Sequence, residues 1–416
     1  MTAVTAGATP LLSPRRAWAL AGAATLTMAV SYVDRQTLAI LAPRVSEKLD
    51  IGEQGYSLLA SAFSIAYLIG APLAGRAIDR IGARRGLLWA VLLWSAVAAL
   101  HAIVPGFAVL FVLRILLGLA ESPSFPGAAQ TIHRVLPPAS RARGFGLLFT
   151  GSSIGATLTA PLATWLERTQ GWRAAFLVTA GIGLLWVPMW LALTSGSAAR
   201  AAMDRVAAPT AAPRTPARQI LLHPAFLRGA AVMAASAPVF AFVLLWGAKY
   251  LVRDHHLTQG DVGRFLWVPT LAFDGGAILF GHLASKRPVD TQASARGLLT
   301  VSMLLCASLA LGPLMGGPWA ATIVCAVAMI GGGGLYAIHT ADVLARVPVT
   351  DVSTASGLLA AVQSLAFIIA NPIIGATVAR THSYTTAMIA MGAWVIPGCV
   401  LWLVIPPPPL TPREAA

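Results

Sequence analysis

The sequence predicts an all-α integral membrane protein in which twelve transmembrane helices form two pseudo-symmetric halves of six. Three observations predict this fold class. Charged residues make up 11% of the 416 residues, against roughly 25% in an average soluble domain. The apolar residues gather into twelve runs, each close to the ~20 residues that a helix needs to cross a bilayer. Two short patterns also recur about half a chain apart. We therefore expect lipid, and not water, to be the main solvent.

The twelve apolar runs define the predicted spans. They lie near residues 17–43, 54–75, 86–104, 107–131, 144–166, 172–194, 227–250, 262–284, 296–315, 318–343, 353–379 and 384–406. The connection over residues 195–226 is long and rich in Ala, Pro and Arg, and we interpret it as a cytoplasmic linker. The sequence thus predicts an N-terminal bundle over residues 1–194 and a C-terminal bundle over residues 227–416.

Positive charge is distributed unevenly between the two ends of these runs. The chain has 29 Lys and Arg against 15 Asp and Glu, which gives a net charge of +14. With the N-terminus in the cytoplasm, nineteen Lys and Arg residues fall in inner segments and seven in outer segments. The positive-inside rule then predicts that both termini are cytoplasmic. Because the basic residues lie between apolar runs, without a polar face that carries stacking aromatic residues, we expect no nucleic-acid partner.

Two matching segments indicate an internal duplication. Gly55 lies where the second run opens and Gly263 where the eighth run opens, 208 positions later. Residues 75–80 close the second run, and the similar residues 281–286 close the eighth, 206 positions later. Two halves related in this way are typical of transporters that bind their substrate near the membrane midplane, between the repeats.

Ionisable residues inside a span are costly and are therefore functional candidates. Five positions inside the predicted spans stand out: Asp34, Arg35, Arg114, Glu121 and Asp274. Arginine stays charged and presents a planar fork that fits a carboxylate, whereas a buried carboxyl group can take up and release a proton. The set predicts an anion site coupled to protons. The alternative interpretation is that these residues form internal ion pairs that hold helices together.

Their spacing makes a further prediction about orientation. Arg114 and Glu121 are about two helical turns apart and share one face of the fourth span. Pro123, two positions after Glu121, is expected to bend that helix. Asp34 and Arg35 are adjacent, about 100° apart around the first span, and we expect them to face different neighbours.

The connection after the second span carries a loop motif. Residues 75–85 read GRAIDRIGARR, in which Gly75 and Gly82 permit a tight turn. Asp79, beside Arg80, can form a breakable latch with arginine at the inner face. The segment resembles the loop motif of the major facilitator superfamily, and this resemblance implies a twelve-helix carrier that works by alternating access.

Three stretches resemble one branch of that superfamily, the anion:cation symporter family. They are residues 31–38 (SYVDRQTL), residues 114–127 (RILLGLAESPSFPG) and residues 171–176 (GWRAAF). The resemblance implies transport of organic anions, including sugar acids such as galactonate and hexuronates, usually together with protons. It also implies a bacterial inner-membrane protein.

Family roles transfer onto matching positions of these motifs. The resemblance implies that Asp34 and Glu121 are the protonation sites and that Arg114 is the partner of Glu121. The resemblance also implies that Tyr32, Arg35 and Tyr67 hold the substrate carboxylate.

The C-terminal half resembles the hexuronate branch at isolated positions. Asp274 lies in a P-x-x-x-x-D-x-G pattern, and His339 and Asp342 lie where that branch has an acidic pair in the tenth span. Gln363 in the eleventh span is a candidate substrate ligand. Asn371 precedes a proline, so it is either part of a C-terminal site or a partner for a carbonyl freed by that proline.

Three positions depart from the galactonate pattern. Leu365 stands in place of a hydroxyl-binding Asn, Ala71 in place of a Gln, and Ser152 in place of another Gln. Ser152 is still a candidate substrate contact. Because three polar contacts are lost, a smaller or less polar carboxylate becomes more plausible than a polyhydroxylated sugar acid.

The sequence therefore predicts a monomeric secondary transporter that moves a small organic anion together with protons. Protons are the expected coupling ion, and we expect no other cofactor and no metal. A Spinster-like lipid carrier, which shares the first-span Asp-Arg pair and a fourth-span Glu, is one alternative. A non-transporting membrane sensor is another. An enzyme is not expected, because the sequence contains neither metal-ligand spacing of His, Asp and Glu nor a G-x-S-x-G motif.

Overall fold

The computed structural model describes residues 12–203, 216–285, 292–347 and 352–405. Within these ranges the chain forms helices and no strands. The twelve spans are Pro14–Ile40 (span 1), Glu53–Ile81 (2), Ala83–Leu100 (3), Phe107–Glu121 with Ser124–Val135 (4), Pro138–Gln170 (5), Trp172–Thr194 (6), Pro224–Ala241 with Phe242–Trp246 and Gly247–Asp254 (7), Gly263–Ser285 (8), Gln292–Ala307 with Ser308–Leu314 (9), Pro318–Arg346 (10), Val352–Thr381 (11) and Thr385–Val404 (12). Short helices lie between some of them, at Ala42–Lys48, Ser197–Met203 and Ala217–Leu221.

Ten of the described helices are long and apolar enough to cross a membrane. Spans 1 and 5, with 27 and 33 residues, complete the predicted twelve. Span 1 contains Asp34 and Arg35, and span 5 begins with a polar, arginine-containing turn, so both are less apolar than the others. These two spans contribute the polar lining between the halves.

Two of the differences between the predicted and the observed span boundaries have a clear local cause. Span 1 ends at Ile40, and the remainder of the predicted run forms a separate helix that begins at Ala42. Pro43 in its first turn has no amide hydrogen, so the first helix cannot continue through it unbroken. Span 5 begins at Pro138, six residues before its apolar run, and the apolar criterion had missed this polar first turn.

Helix packing in the two halves follows one pattern. Span 1 packs on spans 5 and 6, span 2 on span 4, and span 3 on span 6. The corresponding contacts of the second half are span 7 on spans 11 and 12, span 8 on span 10, and span 9 on span 12. Between the halves, span 2 packs on span 11, and span 8 packs on span 5. The two interfaces are equivalent by the pseudo-symmetry, because spans 2 and 5 of the first half correspond to spans 8 and 11 of the second. The domain boundaries stay a prediction, and residues 204–215 of the predicted linker lie outside the described residues.

The predicted loop motif connects spans 2 and 3 through one residue. Gly82 separates the two helices and has a φ of 84°, a region in which a side chain is strained. Gly75 and Arg80 lie in the last two turns of span 2, and Arg80 is exposed. The side chain of Asp79 lies outside the described residues, so the predicted latch stays a prediction.

Polar contacts join the halves at one end of the bundle, here named the distal face, where residues 41–52 connect spans 1 and 2 and residues 255–262 connect spans 7 and 8. Glu53 forms ion pairs with Lys249 at 3.0 Å and Arg253 at 3.3 Å. The Gln259 amide donates to the Ile40 carbonyl at 2.8 Å. We call Glu53, Lys249 and Arg253 the distal clamp.

A π-helical segment shapes the contact beside this clamp. Span 7 adopts π geometry over Phe242–Trp246, which widens the turn and leaves a backbone carbonyl open to other donors. The Tyr56 hydroxyl of span 2 donates to the Leu245 carbonyl in this segment. The local irregularity of span 7 therefore supports an interface between the halves.

Candidate functional site

A buried ion pair lies at the centre of the N-terminal half. The Arg35 guanidinium donates to the Glu121 carboxylate from Nη2 at 3.1 Å and from Nε at 3.3 Å. The Ser31 hydroxyl donates to the same oxygen, Oε2, at 2.8 Å. The Glu121 side chain is fully buried, whereas that of Arg35 retains 16% exposure. Arg35 is therefore the member of the pair that a ligand can reach.

Local sequence explains how these groups meet. Ser31 and Arg35 are four positions apart and so lie on the same face of span 1. Span 4 is interrupted between Glu121 and Ser124, next to Pro123, which confirms the predicted bend. Glu121 lies at the end of the first segment, where the interruption brings its carboxylate beside span 1.

Aromatic rings surround the guanidinium of Arg35. It lies over the rings of Tyr32 and Phe63, each with its centroid at 4.7 Å, and over Tyr67 at 4.9 Å. Stacking of this kind stabilises a cation out of water through the ring quadrupole. We call Tyr32, Phe63 and Tyr67 the aromatic cage. It leaves the guanidinium edge, which donates hydrogen bonds, as the part available to an anion.

Asp34 faces a different environment, as its position around the helix predicts. It is 3% exposed, and Thr179 of span 6 and Glu121 are among its polar neighbours. Among the described residues Asp34 forms no ion pair, in contrast to Glu121.

Arg114 is buried near the ion pair without being part of it. It is 3% exposed, its Nε and Nη1 atoms have no hydrogen-bond partner, and its guanidinium lies 4.6 Å from the Phe63 ring centroid. Glu121 lies within its electrostatic range. The resemblance implied Arg114 as the partner of Glu121, whereas in this conformation the partner is Arg35.

Asp274 lies between the halves and not in a cluster of charges. Its Oδ1 accepts a hydrogen bond of 2.5 Å from the Ser153 hydroxyl of span 5. Ser152, the predicted substrate contact, is half-buried beside it on the same span. The pair Ser153–Asp274 therefore joins spans 5 and 8. Sequence reasoning missed Ser153, because a lone serine in a span carries no distinguishing signal.

Gln363 is placed on the C-terminal side of the centre. It lines a small cavity together with Phe240, Phe273 and Tyr336. Phe273 is the sequence neighbour of Asp274, which joins span 8 to span 5. Gln363 as a substrate ligand stays a prediction.

The other C-terminal candidates are engaged in contacts within the protein in this conformation, and their role in a site stays a prediction. Asn371 is fully buried, and its Oδ1 accepts from the Trp246 indole at 2.9 Å. Asp342 pairs with Arg346 at 2.7 Å and with Arg228 at 3.6 Å. His339 is fully buried against Tyr336, 5.8 Å between ring centroids. A carboxylate that already has two arginine partners is not available to a substrate.

Arg228 is a buried residue that the charge pattern misassigned. Its position at the start of the seventh apolar run predicts an anchor at the inner face, yet its side chain is fully buried. It lies over the Trp402 ring at 4.4 Å and donates to the Trp402 carbonyl at 3.3 Å. Proximity to a span end is a weak guide to exposure, because a long side chain can turn back into the bundle.

The described residues were also considered as possible ligands of a metal ion. Within them, no group of three His, Cys, Asp or Glu residues is placed to hold a metal ion. The polar groups that the centre of the N-terminal half offers are the Arg35 guanidinium, which donates hydrogen bonds, and the carboxyl groups of Glu121 and Asp34.

The comparisons with known proteins agree with one another, because each finds transporters or a transporter superfamily. The sequence model of the Major Facilitator Superfamily matches residues 24–370. The chain is 28% identical to the galacturonate transporter of Dickeya chrysanthemi over 339 residues, which cover 75% of this chain and 95% of that protein. It is 25% identical to the hexuronate transporter of Escherichia coli (strain K12), with 93% of this chain and 94% of that protein covered.

A solved structure shares the fold. It is a crystal structure of a bacterial homolog to the human lysosomal transporter Spinster, in an inward-facing and unoccupied conformation. The TM-score is 0.79 with 17% sequence identity, and the match covers 94% of this chain and 97% of the other. At this identity the likeness shows the fold alone.

Proposed function

The chain belongs to the major facilitator superfamily, and on that premise we propose that it is a proton-coupled symporter of a small organic anion. The membership makes it a multi-pass membrane transporter and not an enzyme. The names of its relatives, a galacturonate and a hexuronate transporter, support an organic carboxylate as substrate. The bacterial relatives support the inner membrane as its location.

The ion pair between Arg35 and Glu121 carries this proposal. One arginine, held in the aromatic cage, already binds a carboxylate in this conformation. A substrate carboxylate has the same shape and charge, so it can replace Glu121 at the guanidinium edge. Removing one partner from a buried pair costs about 3–5 kcal/mol when the other charge stays behind. Substrate binding is therefore favourable only when Glu121 takes up a proton.

Asp34 supplies a second protonation site in this scheme. It is buried and forms no ion pair among the described residues, so an ionised Asp34 would gain a favourable environment if helices moved and brought water or a cation to it. The ionisation of Asp34 would therefore respond to the change in conformation and not to the binding of substrate. Binding at Arg35 and the protonation of Glu121 and Asp34 would together permit the change in access.

Alternating access assigns a role to the distal face. The uneven distribution of Lys and Arg supports a cytoplasmic position for both termini and an outward position for the distal face. With the distal clamp formed, the outward side is closed and the site is accessible from the cytoplasm. Rocking of one half against the other would break the clamp and open the outward side.

Uptake into proteoliposomes tests the proposal. A panel of organic acids, with an inward proton gradient, should drive accumulation of at least one acid by the unaltered protein. Arg35→Ala should abolish this uptake, and Arg35→Lys should retain little, because an ammonium lacks the planar fork. The matched control is Arg264→Ala, whose side chain is 75% exposed. Full uptake by Arg35→Ala would refute the anion site.

The lipid-carrier alternative gains no support beyond the shared fold. The Spinster homolog is 17% identical, whereas the sugar-acid relatives are more similar over most of their length. The sensor alternative is tested by the same assay, because a sensor would bind an acid without moving it.

A further inference from the structure

Four aromatic residues of the C-terminal half form a connected cluster. Phe240 of span 7 lies 4.8 Å from Phe273 of span 8 and 6.1 Å from Phe367 of span 11, measured between ring centroids. Phe273 lies 6.1 Å from Tyr336 of span 10. We call these four residues the C-half aromatic cluster. Four different spans contribute to it, so it belongs to the centre of the half and not to the surface of one helix.

The cluster differs from the aromatic residues of the packed core. Its four residues are all only partly buried, whereas core rings such as Trp246 and Phe242 have no exposed surface. Three of the four line the small cavity that also contains Gln363. Ring surface in this cavity is thus available for contact with another molecule.

The cluster and the cage that holds Arg35 both lie beside span 5. Phe273 is followed by Asp274, which accepts a hydrogen bond from Ser153 of span 5, and Gly155, two positions later on that span, packs against Tyr32 of the cage. The protein therefore presents one arginine on the N-terminal side and a set of ring faces on the C-terminal side. We propose that its substrate is an aromatic monocarboxylate, bound with its carboxylate at Arg35 and its ring against the C-half aromatic cluster. The proposal rests on the proposed transport function and adds the substrate class.

The polar side chains near the cluster argue against a sugar acid. Apart from the Tyr336 hydroxyl, two polar side chains, Ser236 and Gln363, line the cavity within the described residues. The Ser236 hydroxyl is engaged, because it donates to the Val232 carbonyl at 2.8 Å. A sugar acid buries several hydroxyl groups, and each one left without a partner is costly. An aromatic ring requires no such partners and gains from stacking on rings. One ring hydroxyl would suffice to engage Gln363.

The cations of the C-terminal half argue for a single carboxylate. Among the described membrane-embedded cations of that half, Arg228 is paired with Asp342, and Lys249 is paired with Glu53. A second carboxylate on the substrate would face Asp274 and the ring cluster instead of a cation. Of the two arginines in the N-terminal half that lie near Glu121, Arg35 keeps 16% exposure and Arg114 keeps 3%, so Arg35 is the one that a single substrate carboxylate can reach.

Equilibrium binding to the purified full-length protein in detergent tests the substrate class. Binding is measured because the neutral form of an aromatic acid crosses liposome membranes unaided. The probes are 4-hydroxybenzoate, galacturonate and acetate. We expect 4-hydroxybenzoate to bind at least tenfold more tightly than galacturonate, and Arg35→Ala to abolish binding of both 4-hydroxybenzoate and acetate.

Phe240→Ala separates ring recognition from structural damage. It should weaken 4-hydroxybenzoate binding at least tenfold and leave acetate binding unchanged, because acetate has the carboxylate without the ring. Phe111→Ala, which removes a ring outside the cluster that packs against Phe107, is the control and should change neither affinity.

The outcomes distinguish this inference from the proposed function. Tighter binding of galacturonate than of 4-hydroxybenzoate, with dependence on Arg35, would overturn the aromatic substrate class and leave anion transport intact. An equal loss of acetate and 4-hydroxybenzoate binding in Phe240→Ala would also overturn ring recognition. Failure of all three acids to bind the unaltered protein would overturn the proposed function itself.

Discussion

Arg35 and Glu121, 86 positions apart in the sequence, form a 3.1 Å ion pair in which the glutamate is fully buried and the arginine is not. The pair has the same chemistry as the complex between the arginine and a substrate carboxylate. In the function proposed above, competition between these two carboxylates for one guanidinium would link substrate binding to the protonation of Glu121.

Glu121→Gln tests the coupling step. A glutamine keeps the shape of the side chain and cannot ionise, so the variant resembles a permanently protonated transporter. We expect it to exchange labelled for unlabelled substrate at a rate close to that of the unaltered protein and to lose accumulation driven by a proton gradient. Glu47→Gln, at a side chain that is 63% exposed, is the matched control. Retained gradient-driven accumulation would exclude Glu121 as a coupling residue.

Asp34→Asn should produce a different result, because the side-chain hydrogen bonds and ion pair described for Arg35 are made with Glu121 and not with Asp34. Substrate affinity should be unchanged, since no partner at the binding guanidinium is altered. Net gradient-driven uptake should fall at least tenfold, since the group that responds to the change in access can no longer release a proton. Affinity and uptake rate are measured on the same preparation. A large loss of affinity in Asp34→Asn would contradict the division of roles between the two acids.

Lys249→Met tests the distal clamp. The ion pair of 3.0 Å with Glu53 lies between spans 2 and 7, and its removal should favour separation of the halves at the distal face. The readout is labelling of Ser57→Cys by a membrane-impermeant maleimide, after replacement of the buried native cysteines Cys306, Cys325 and Cys399. Ser57 is 2% exposed in this conformation, and we expect its labelling rate to rise several-fold.

The control for the clamp is Lys48→Met, which removes an exposed lysine at the same face. It should leave the labelling rate unchanged. Equal labelling in Lys249→Met and in the protein with an intact clamp would mean that the clamp does not hold the distal face closed.

Gly263→Ala tests the contact between spans 5 and 8. A Cβ atom at this position would lie 2.7 Å from the Ala160 carbonyl oxygen, so the backbones would have to separate. Overpacking of this kind typically costs about 1–3 kcal/mol, and the apparent melting temperature in detergent should fall by several degrees. Gly181→Ala, where nothing lies within 4 Å, is the control and should be neutral or stabilising. An unchanged melting temperature in Gly263→Ala would contradict the close packing.

The sequence was a good guide to the fold because lipid imposes a simple rule. Each span must satisfy its own backbone hydrogen bonds and present apolar side chains, so the twelve spans appear directly as apolar runs. For the same reason Asp34, Arg35 and Glu121 stand out, since few ionisable residues occur within those runs.

The pairing of these residues was less predictable. Arg114 and Glu121 are about two turns apart on one helix, whereas ion pairs along a helix require a separation of three or four residues. Which arginine meets Glu121 then depends on how span 1 is rotated against the interrupted span 4, and a sequence does not specify this rotation. The C-half aromatic cluster was missed for another reason, because Phe240 and Phe273 are ordinary residues of apolar runs until the spans are packed together.

The most direct test of the account is the pH dependence of substrate affinity in the unaltered protein and in Glu121→Gln. If a substrate carboxylate replaces ionised Glu121 at Arg35, one proton is bound with each substrate. Affinity should then rise by up to about tenfold for each unit of decrease in pH over the range in which Glu121 is ionised. In Glu121→Gln this dependence should disappear while the affinity stays high. An affinity that does not depend on pH in the unaltered protein, or a dependence that persists in Glu121→Gln, would contradict the account.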